Sequence, residues 1–305
     1  MHEPSMAVKL AGVELKNPVV AASGTFGFGR EYSQFYDLSE LGAICVKGLT
    51  AAPRKGNPPP RIAETPMGIL NSVGLQNPGI DAFLAQELPF LRRYDVKVIA
   101  NLSGDTPEEY GQMCEKLSQA GVDLIELNIS CPNVKAGGLA YGTRPDLAAE
   151  VTRVAKAHAG ATPVMVKLSP NVTDVVAIAQ AVADAGADAL SLINTLLGMR
   201  IDVASRRPIL RRNTGGLSGP AVLPVAVRMV WEVSRVGLPI LGMGGVSDGD
   251  SAAQLMLAGA SAVAVGTACL AAPYAPLQVR DGLRDIAARQ GLSSVAQLTG
   301  AIQPW

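Results

Sequence analysis

Polar side chains and glycines stand where the short apolar segments of this sequence end. They are Ser23, Lys47, Asn101, Asn128, Lys167, Asn194, Thr195, Gly244, Gly245, Gly266 and Thr267. Amides match carbonyls and ring nitrogens, whereas lysines match anionic oxygens. Any one of these residues could be an ordinary cap or turn. If they converge, they predict a site for a flat ligand rich in heteroatoms.

Cys131 is a candidate for a reactive thiol. It lies in the stretch NISCPNVKAGG (128–138), directly behind the apolar run LIEL. Pro132 ends that run and a glycine pair follows, so a packing role suits Cys131 less well than it suits Cys45 or Cys114. None of the four cysteines forms a CxxC pair, and the chain has two histidines. A metal site or a Ser-His-Asp triad is therefore not expected.

Eight apolar runs alternate with amphipathic segments and predict the elements that position these residues. The runs are 19–24, 43–48, 97–104, 124–130, 164–170, 189–195, 239–245 and 262–268. They are apolar nearly throughout, as strands buried on both faces should be. The pattern predicts a (β/α)8 TIM barrel, an α/β fold, as one domain over residues 1–305. Residues 7–18 are predicted to form a β-hairpin before the first strand.

Two segments, 49–96 and 196–238, are too long for simple crossovers. They predict long loops at the C-terminal face of the strands, where barrel enzymes carry their sites. The second includes the arginine-rich stretch 206–212, which we interpret as a solvated loop. Glu126 shares the strand parity of Asn128, so it is expected to point into the barrel. It then needs a buried partner, which the sequence does not identify.

Composition excludes several classes of function. The chain has no net charge and only 4% aromatic residues, which argues against binding to nucleic acid or to an acidic membrane. The N-terminus lacks the apolar core of a signal peptide, and no apolar window is long and uninterrupted enough for a membrane span. We therefore expect a cytoplasmic protein that binds neither nucleic acid nor membrane.

Several long motifs resemble the class 1 dihydroorotate dehydrogenases, and class 1B most of all. They are ASGTFGFGREY (22–32), GNPPPRIAETPMGILNSVGLQNPG (56–79), ELNISCPNVKAGG (126–138), VKLSPN (166–171), INTLLGM (193–199), TGGLSGPA (214–221) and GMGGV (242–246). The resemblance covers nearly the whole chain. It implies an FMN-dependent oxidation of (S)-dihydroorotate to orotate in the de novo biosynthesis of UMP.

The resemblance also assigns roles to individual residues. One FMN per subunit is expected at Ser23, Lys47, Gly48, Asn101, Asn128, Lys167, Ile193, Gly219, Gly244, Gly245, Gly266 and Thr267. The substrate is expected at Lys47, Asn71, Ser72, Val73, Gly74, Leu75, Asn128, Asn194 and Thr195. Cys131 occupies the position of the catalytic base, and Lys47 is the second catalytic residue.

Class 1B enzymes pass their electrons to a partner subunit with FAD and a [2Fe-2S] cluster, and finally to NAD+. The resemblance therefore implies a heterotetramer of two catalytic and two electron-transfer subunits. The alternative within the family is a class 1A homodimer that reduces fumarate. Outside it, the alternatives are a phosphate-binding lyase with Lys47 or Lys167 as a Schiff-base amine, and a barrel that only stores flavin or serves as structure.

Overall fold

The computed structural model describes residues 3–130 and 138–305, and eight parallel strands form its centre. The strands are β1 (Val19–Ala21), β2 (Ala43–Cys45), β3 (Lys97–Leu102), β4 (Leu124–Asn128), β5 (Val164–Lys167), β6 (Ala189–Leu192), β7 (Ile240–Met243) and β8 (Ala262–Val265). Each strand pairs with the next along the chain and β8 pairs with β1, so the sheet closes. The predicted (β/α)8 barrel is confirmed.

Helices cover the outside of the barrel. They are Ile80–Ala82 continuing through Phe83–Glu87 and Leu88–Leu91, then Pro107–Gln119, Gly138–Thr143, Pro145–His158, Val175–Asp184, Leu223–Val233, Gly249–Ala258, Thr267–Ala271 and Ala275–Arg289. Local sequence explains where several of them begin. Thr106 and Asp174 cap the helices that follow them by accepting from Glu109 N and Ala177 N, which satisfies donors that an open helix end leaves free.

The predicted N-terminal hairpin is present. Its strands, Val8–Leu10 and Val13–Leu15, pair antiparallel. Val8, Leu10 and Leu15 are buried in the same apolar core as the barrel strands. The hairpin therefore packs its alternating apolar face against the barrel, as a half-exposed ribbon should.

The two long segments contain a second sheet that the sequence pattern did not predict. Ile62–Thr65 and Gly68–Asn71 come from the first segment, and Leu196–Met199 and Thr214–Ser218 come from the second. They form one antiparallel sheet of four strands, which we call the cap sheet. A short ribbon of Ile201–Asp202 and Arg207–Pro208 extends from it. Because both segments follow C-terminal strand ends, the cap sheet belongs to the predicted functional face of the barrel.

Burial within the barrel matches the sequence pattern, with a few polar exceptions. All residues of β2, β4, β5, β6, β7 and β8 are buried, as expected for strands covered on both faces. Among the helices in the described ranges, none combines the length and the apolar character that crossing a bilayer requires. The exceptions inside the barrel, Glu126 above all, lie beneath the site described next.

Candidate active site

One large cavity opens at the C-terminal ends of the barrel strands. Its volume is about 810 Å³, which is the size of a pocket for a ligand larger than a single ring. The predicted residues that line it are Ser23, Lys47, Gly48, Asn71, Val73, Gly74, Leu75, Asn128, Lys167, Ile193, Asn194, Thr195, Gly219, Gly244, Gly245, Gly266 and Thr267. Residues far apart in the sequence thus meet at one place.

Two predicted site residues are buried away from the cavity lining, and a third lies outside the described residues. Asn101 is fully buried and does not line the cavity. Its side chain lies against Gly48, and Gly48 does line the cavity. Ser72 is fully buried between Asn71 and Val73, and its hydroxyl has no partner among the described residues. Cys131 lies outside the described residues, so its predicted role as the base stays a prediction.

Lys167 brings a nearly buried cation to the cavity. It ends β5, only 6% of its surface is exposed, and it lines the cavity. Within residues 3–130 and 138–305, its ammonium group has no hydrogen bond or ion pair. A buried charge is costly without a partner. The position therefore suits a ligand that offers an acceptor or an anion.

Lys47 enters the same cavity from β2. Its backbone N–H donates to Gly27 O at 3.0 Å, which ties the end of β2 to the loop after β1. Its ammonium group lies beside Gly24, since a Cβ atom built on Gly24 would stand 3.8 Å from Nζ. Two lysines from two strands therefore border one space, an arrangement suited to anionic oxygens.

A chain of hydrogen bonds orients the asparagines at the rim. Asn194 Nδ2 donates to Ser130 Oγ at 2.8 Å, and Ser130 Oγ donates to Asn128 Oδ1 at 3.0 Å. Asn171 Nδ2 donates to Thr195 O at 2.9 Å, and Asn194 Oδ1 accepts from Thr195 N at 2.8 Å. The amides are thus held before any ligand arrives, which lowers the entropic cost of binding.

Beneath the cavity lies the buried carboxylate of Glu126. Ser191 Oγ donates to its Oε1 at 2.6 Å, and Cys45 Sγ donates to its Oε2 at 3.1 Å. Asn101 Nδ2 also donates to Oε2. These are the partners that the sequence could not identify. Burial, with a smaller contribution from the charge of Glu126, holds the pKa of the Cys45 thiol well above its ordinary value, so Cys45 is a protonated donor here.

Glycines shape the far end of the cavity, after β7. Gly244 and Gly245 have φ angles of +116° and +84°, which residues with a Cβ rarely adopt. A Cβ atom on Gly245 would stand 2.6 Å from Leu223 Cβ, and one on Gly244 would stand 2.9 Å from Ile193 Cγ1. Only glycine therefore fits at these two positions, and both line the cavity after β7, where barrel proteins often bind phosphate.

Some site residues were missed by the sequence reasoning. Ser130 and Asn171 orient the rim, and Ser218 of the cap sheet lines the cavity and accepts from Thr267 Oγ1 at 2.8 Å. Ser130 and Asn171 stand in the motifs ISCPN and SPN, and Ser218 stands in GGLSGP. Their positions within these motifs were the available signal. Several of their bonding partners, such as Asn194 for Ser130 and Thr267 for Ser218, are distant in the sequence and gave no signal.

The closed barrel, its polar strand ends and its glycine-lined wall define the class of the protein. They are the features of a (β/α)8 barrel enzyme that binds its ligand at the C-terminal ends of the strands. In such barrels the surrounding loops set the chemistry, so the fold alone does not identify the reaction.

Comparison with known proteins identifies the family. The family model "Dihydroorotate dehydrogenase" matches residues 5–286, so the chain belongs to the dihydroorotate dehydrogenase family. Three similar relatives are each named dihydroorotate dehydrogenase B (NAD(+)), catalytic subunit. The protein of Geobacillus kaustophilus is 60% identical over 271 residues, covering 88% of this chain and 86% of the relative. The protein of Alkaliphilus oremlandii is 54% identical, and the match covers 99% of this chain and 100% of the relative. That of Geotalea daltonii is also 54% identical, with the same coverage.

The family resemblance predicted from the motifs is therefore confirmed, and so is the prediction of an oxidoreductase. Membership in this family overturns the lyase alternative, in which Lys47 or Lys167 would have formed a Schiff base, and the alternative of a barrel that only stores flavin. The names of the relatives favour NAD+ over fumarate as the final electron acceptor.

Proposed function

We propose that the chain is the FMN-containing catalytic subunit of an NAD+-linked dihydroorotate dehydrogenase, which oxidises (S)-dihydroorotate to orotate in pyrimidine synthesis. The observation that carries this proposal is the ring of Lys47, Asn71, Asn128 and Asn194 around one cavity. Amides that both donate and accept suit the ring of dihydroorotate, and a lysine suits its carboxylate.

The residues around the cavity fit FMN. The volume of about 810 Å³ leaves room for a three-ring system beside a small substrate. Lys167 is only 6% exposed and lines the cavity together with the amides of Asn128 and Asn194. These side chains supply the donors and acceptors that a heterocycle needs. Gly244, Gly245 and Gly266 with Thr267 would hold the phosphate, because they line the cavity and glycine lets backbone N–H groups come close to a phosphate.

The reaction removes a proton from C5 of dihydroorotate and a hydride from C6. FMN, when bound, supplies the acceptor for the hydride. Asn128 and Asn194 orient the substrate ring through their fixed amides, and Lys47 offsets the carboxylate charge. The thiolate of Cys131 takes the C5 proton and later releases it to solvent. Asn71 and Leu217 of the cap sheet border the cavity, where they would help to exclude water from a bound substrate.

We further propose that the electrons leave through a second subunit with FAD and a [2Fe-2S] cluster, in an assembly of two plus two subunits. Support comes from the relatives, which are named catalytic subunits of NAD(+)-linked enzymes. Cys45, Cys114 and Cys269 are free, buried thiols, which suits a reducing compartment. We therefore assign the protein to the cytoplasm.

The test is anaerobic and spectroscopic. We expect the purified protein to be yellow, and dihydroorotate to bleach its visible flavin absorbance while one orotate forms per flavin. A protein that binds FMN without bleaching would contradict the assigned substrate. A protein that takes up no FMN at all would contradict the assigned cofactor.

A further inference from the structure

Asn171 is a polar residue outside the cavity lining that joins the barrel to the cap sheet. It lies in the loop after β5 and does not line the cavity. Its amide nitrogen Nδ2 donates to Thr195 O at 2.9 Å, and its amide oxygen Oδ1 accepts from Leu197 N at 2.9 Å. Ser169 Oγ accepts from the backbone N–H of Asn171 at 3.2 Å, which holds the loop itself. One side chain thus binds the chain on both sides of the point where it leaves the barrel rim for the cap sheet.

The bond to Leu197 attaches an edge of the cap sheet to the barrel. Leu196–Met199 is an outer strand of that sheet, because among the described strands it pairs only with Thr214–Ser218. An edge strand leaves one row of backbone N–H groups without partners in the sheet. Asn171 accepts one of them, so the loop after β5 holds this strand from outside the sheet.

Two residues predicted to bind the substrate depend on this attachment. Leu197 pairs with Gly216, and Gly216 pairs with Asn71, so one row across the cap sheet leads from Asn171 to Asn71. Thr195 packs against the same row, because a Cβ atom on Gly216 would overlap Thr195 Oγ1. Asn71 and Thr195 both line the cavity. Their spacing across the cavity is therefore set where Asn171 binds the chain.

The residues predicted to hold the phosphate of FMN lie on other elements. Gly244 and Gly245 follow β7, and Gly266 and Thr267 follow β8. The hydrogen bonds described for the Asn171 side chain and backbone N–H reach none of these four residues. A change at Asn171 should therefore affect the binding of substrate more than the binding of cofactor.

We infer that Asn171 is a positioning residue for the substrate. Its amide fixes the point at which the chain leaves β6 for the cap sheet, and so holds Thr195 and Asn71 at the spacing that the ring of dihydroorotate needs. Asn171 acts through these residues and does not itself line the cavity. The inference rests on the proposed function, since it assumes that the cavity binds FMN and dihydroorotate.

The test measures two affinities in the same variants. Orotate is titrated into the FMN-loaded protein and followed by the change in flavin absorbance, and the affinity of the apo-protein for FMN is measured by quenching of flavin fluorescence. Asn171→Ala loses both side-chain bonds. We expect its Kd for orotate to rise on the order of 10-fold, which corresponds to about 1.4 kcal/mol, and its Kd for FMN to stay nearly unchanged. An unchanged Kd for orotate would overturn the inference.

Asn17→Ala is the matched control. Asn17 makes the same pair of contacts at the opposite end of the barrel, where its Nδ2 donates to Glu40 O at 2.9 Å and its Oδ1 accepts from Val19 N at 3.1 Å. The variant should lose stability in urea unfolding, as Asn171→Ala does, but keep both affinities. An equal rise of the orotate Kd in Asn17→Ala would show a general effect of stability and would overturn the inference.

A double-mutant cycle with Thr195→Ala shows whether Asn171 acts through the residue that it holds. Thr195→Ala keeps the carbonyl that Asn171 binds and removes the hydroxyl. In that background Asn171→Ala should raise the orotate Kd by a smaller factor than in the unaltered protein, because part of its effect acts through Thr195. Additive losses would overturn the inference and leave the proposed function intact.

A second variant covers the case in which Asn171→Ala does not fold. Asn171→Asp keeps an acceptor for Leu197 N and loses the donor to Thr195 O, so it should also raise the orotate Kd while FMN affinity stays nearly unchanged. An orotate Kd equal to that of the unaltered protein would again overturn the inference. Failure of the unaltered protein to bind FMN or orotate would overturn the proposed function as well.

Discussion

Asn194 and Ser130 join two strands of the barrel that are not neighbours. The amide of Asn194 follows β6 and donates to the hydroxyl of Ser130, which follows β4, at 2.8 Å. The intervening strand β5 carries Lys167. Because Ser130 also donates to Asn128 Oδ1, one hydroxyl orients two amides of residues that line the cavity.

Ser130→Ala should weaken substrate binding more than it slows the chemical step. Loss of the two hydrogen bonds that this hydroxyl makes, each worth about 0.5–1.5 kcal/mol, predicts a rise in KM for dihydroorotate of roughly 5- to 160-fold, with kcat changed less, because the amides contact ground state and transition state alike. Steady-state dye reduction measures both constants. Thr152→Ala is the control, since it removes a buried hydroxyl bound to Ala148 O on a helix outside the barrel. Equal constants in Ser130→Ala and the unaltered protein would refute this role.

Lys167→Met should change stability and cofactor affinity in opposite directions. Removing a buried ammonium group without an ion pair among the described residues stabilises the apo-protein, whereas loss of its contact with FMN raises the Kd by about 10-fold or more. Thermal unfolding and fluorescence quenching measure the two effects. Lys156→Met is the control. Lys156 is paired with Asp188 at 2.6 Å, so that variant should lose stability and keep its affinity. A destabilised Lys167→Met with normal affinity would argue against a ligand at this position.

The isolated chain should reduce dyes but hardly reduce NAD+. Its sequence has neither a dinucleotide-binding fingerprint nor cysteines spaced for an iron-sulfur cluster. With dihydroorotate as donor, we expect rapid dye reduction and slow NADH formation, followed by NAD+ reduction when an FAD/[2Fe-2S] subunit is added. Fast NADH formation by the pure chain would contradict the need for a partner.

Stability should fall at alkaline pH because of buried thiols. Burial raises the pKa of Cys114 and of Cys269 to about 12. As the pH rises past 9, the unfolded chain releases these protons first, so the free energy of unfolding decreases by up to about 1.4 kcal/mol per pH unit and thiol. Below pH 8 the thiols stay protonated in both the folded and the unfolded chain, so their contribution to the free energy of unfolding is constant. Urea unfolding at pH 8, 9 and 10 should show a shallower decline in Cys114→Ala than in the unaltered chain. Identical declines would contradict this reading of Cys114.

The barrel and the polar strand ends that line the cavity were predictable from local pattern, whereas the roles of individual residues toward FMN and substrate came from the family resemblance and stay predictions. Uninterrupted apolar runs identify strands covered on both faces, and the C-terminal ends of such strands meet at one rim. The cap sheet was missed because strands such as Thr214–Ser218, with two glycines among five residues, carry no periodic apolar signal. The partners of Glu126 were missed because Cys45 and Ser191 lie 81 and 65 residues away, and only the closed barrel brings them together.

The most direct test of the account is anaerobic stopped-flow measurement of flavin bleaching by dihydroorotate in the unaltered protein, Cys131→Ala and Cys131→Ser. A free thiol has a pKa near 8.5, so the rate in the unaltered protein should rise with pH as the thiolate forms. General-base catalysis typically contributes about 10²–10⁴-fold. Cys131→Ala should therefore stay yellow, bind orotate and bleach slower by about that factor. Cys131→Ser should keep some activity, shifted to higher pH. Bleaching in Cys131→Ala at the rate of the unaltered protein would contradict the claim that Cys131 is the base.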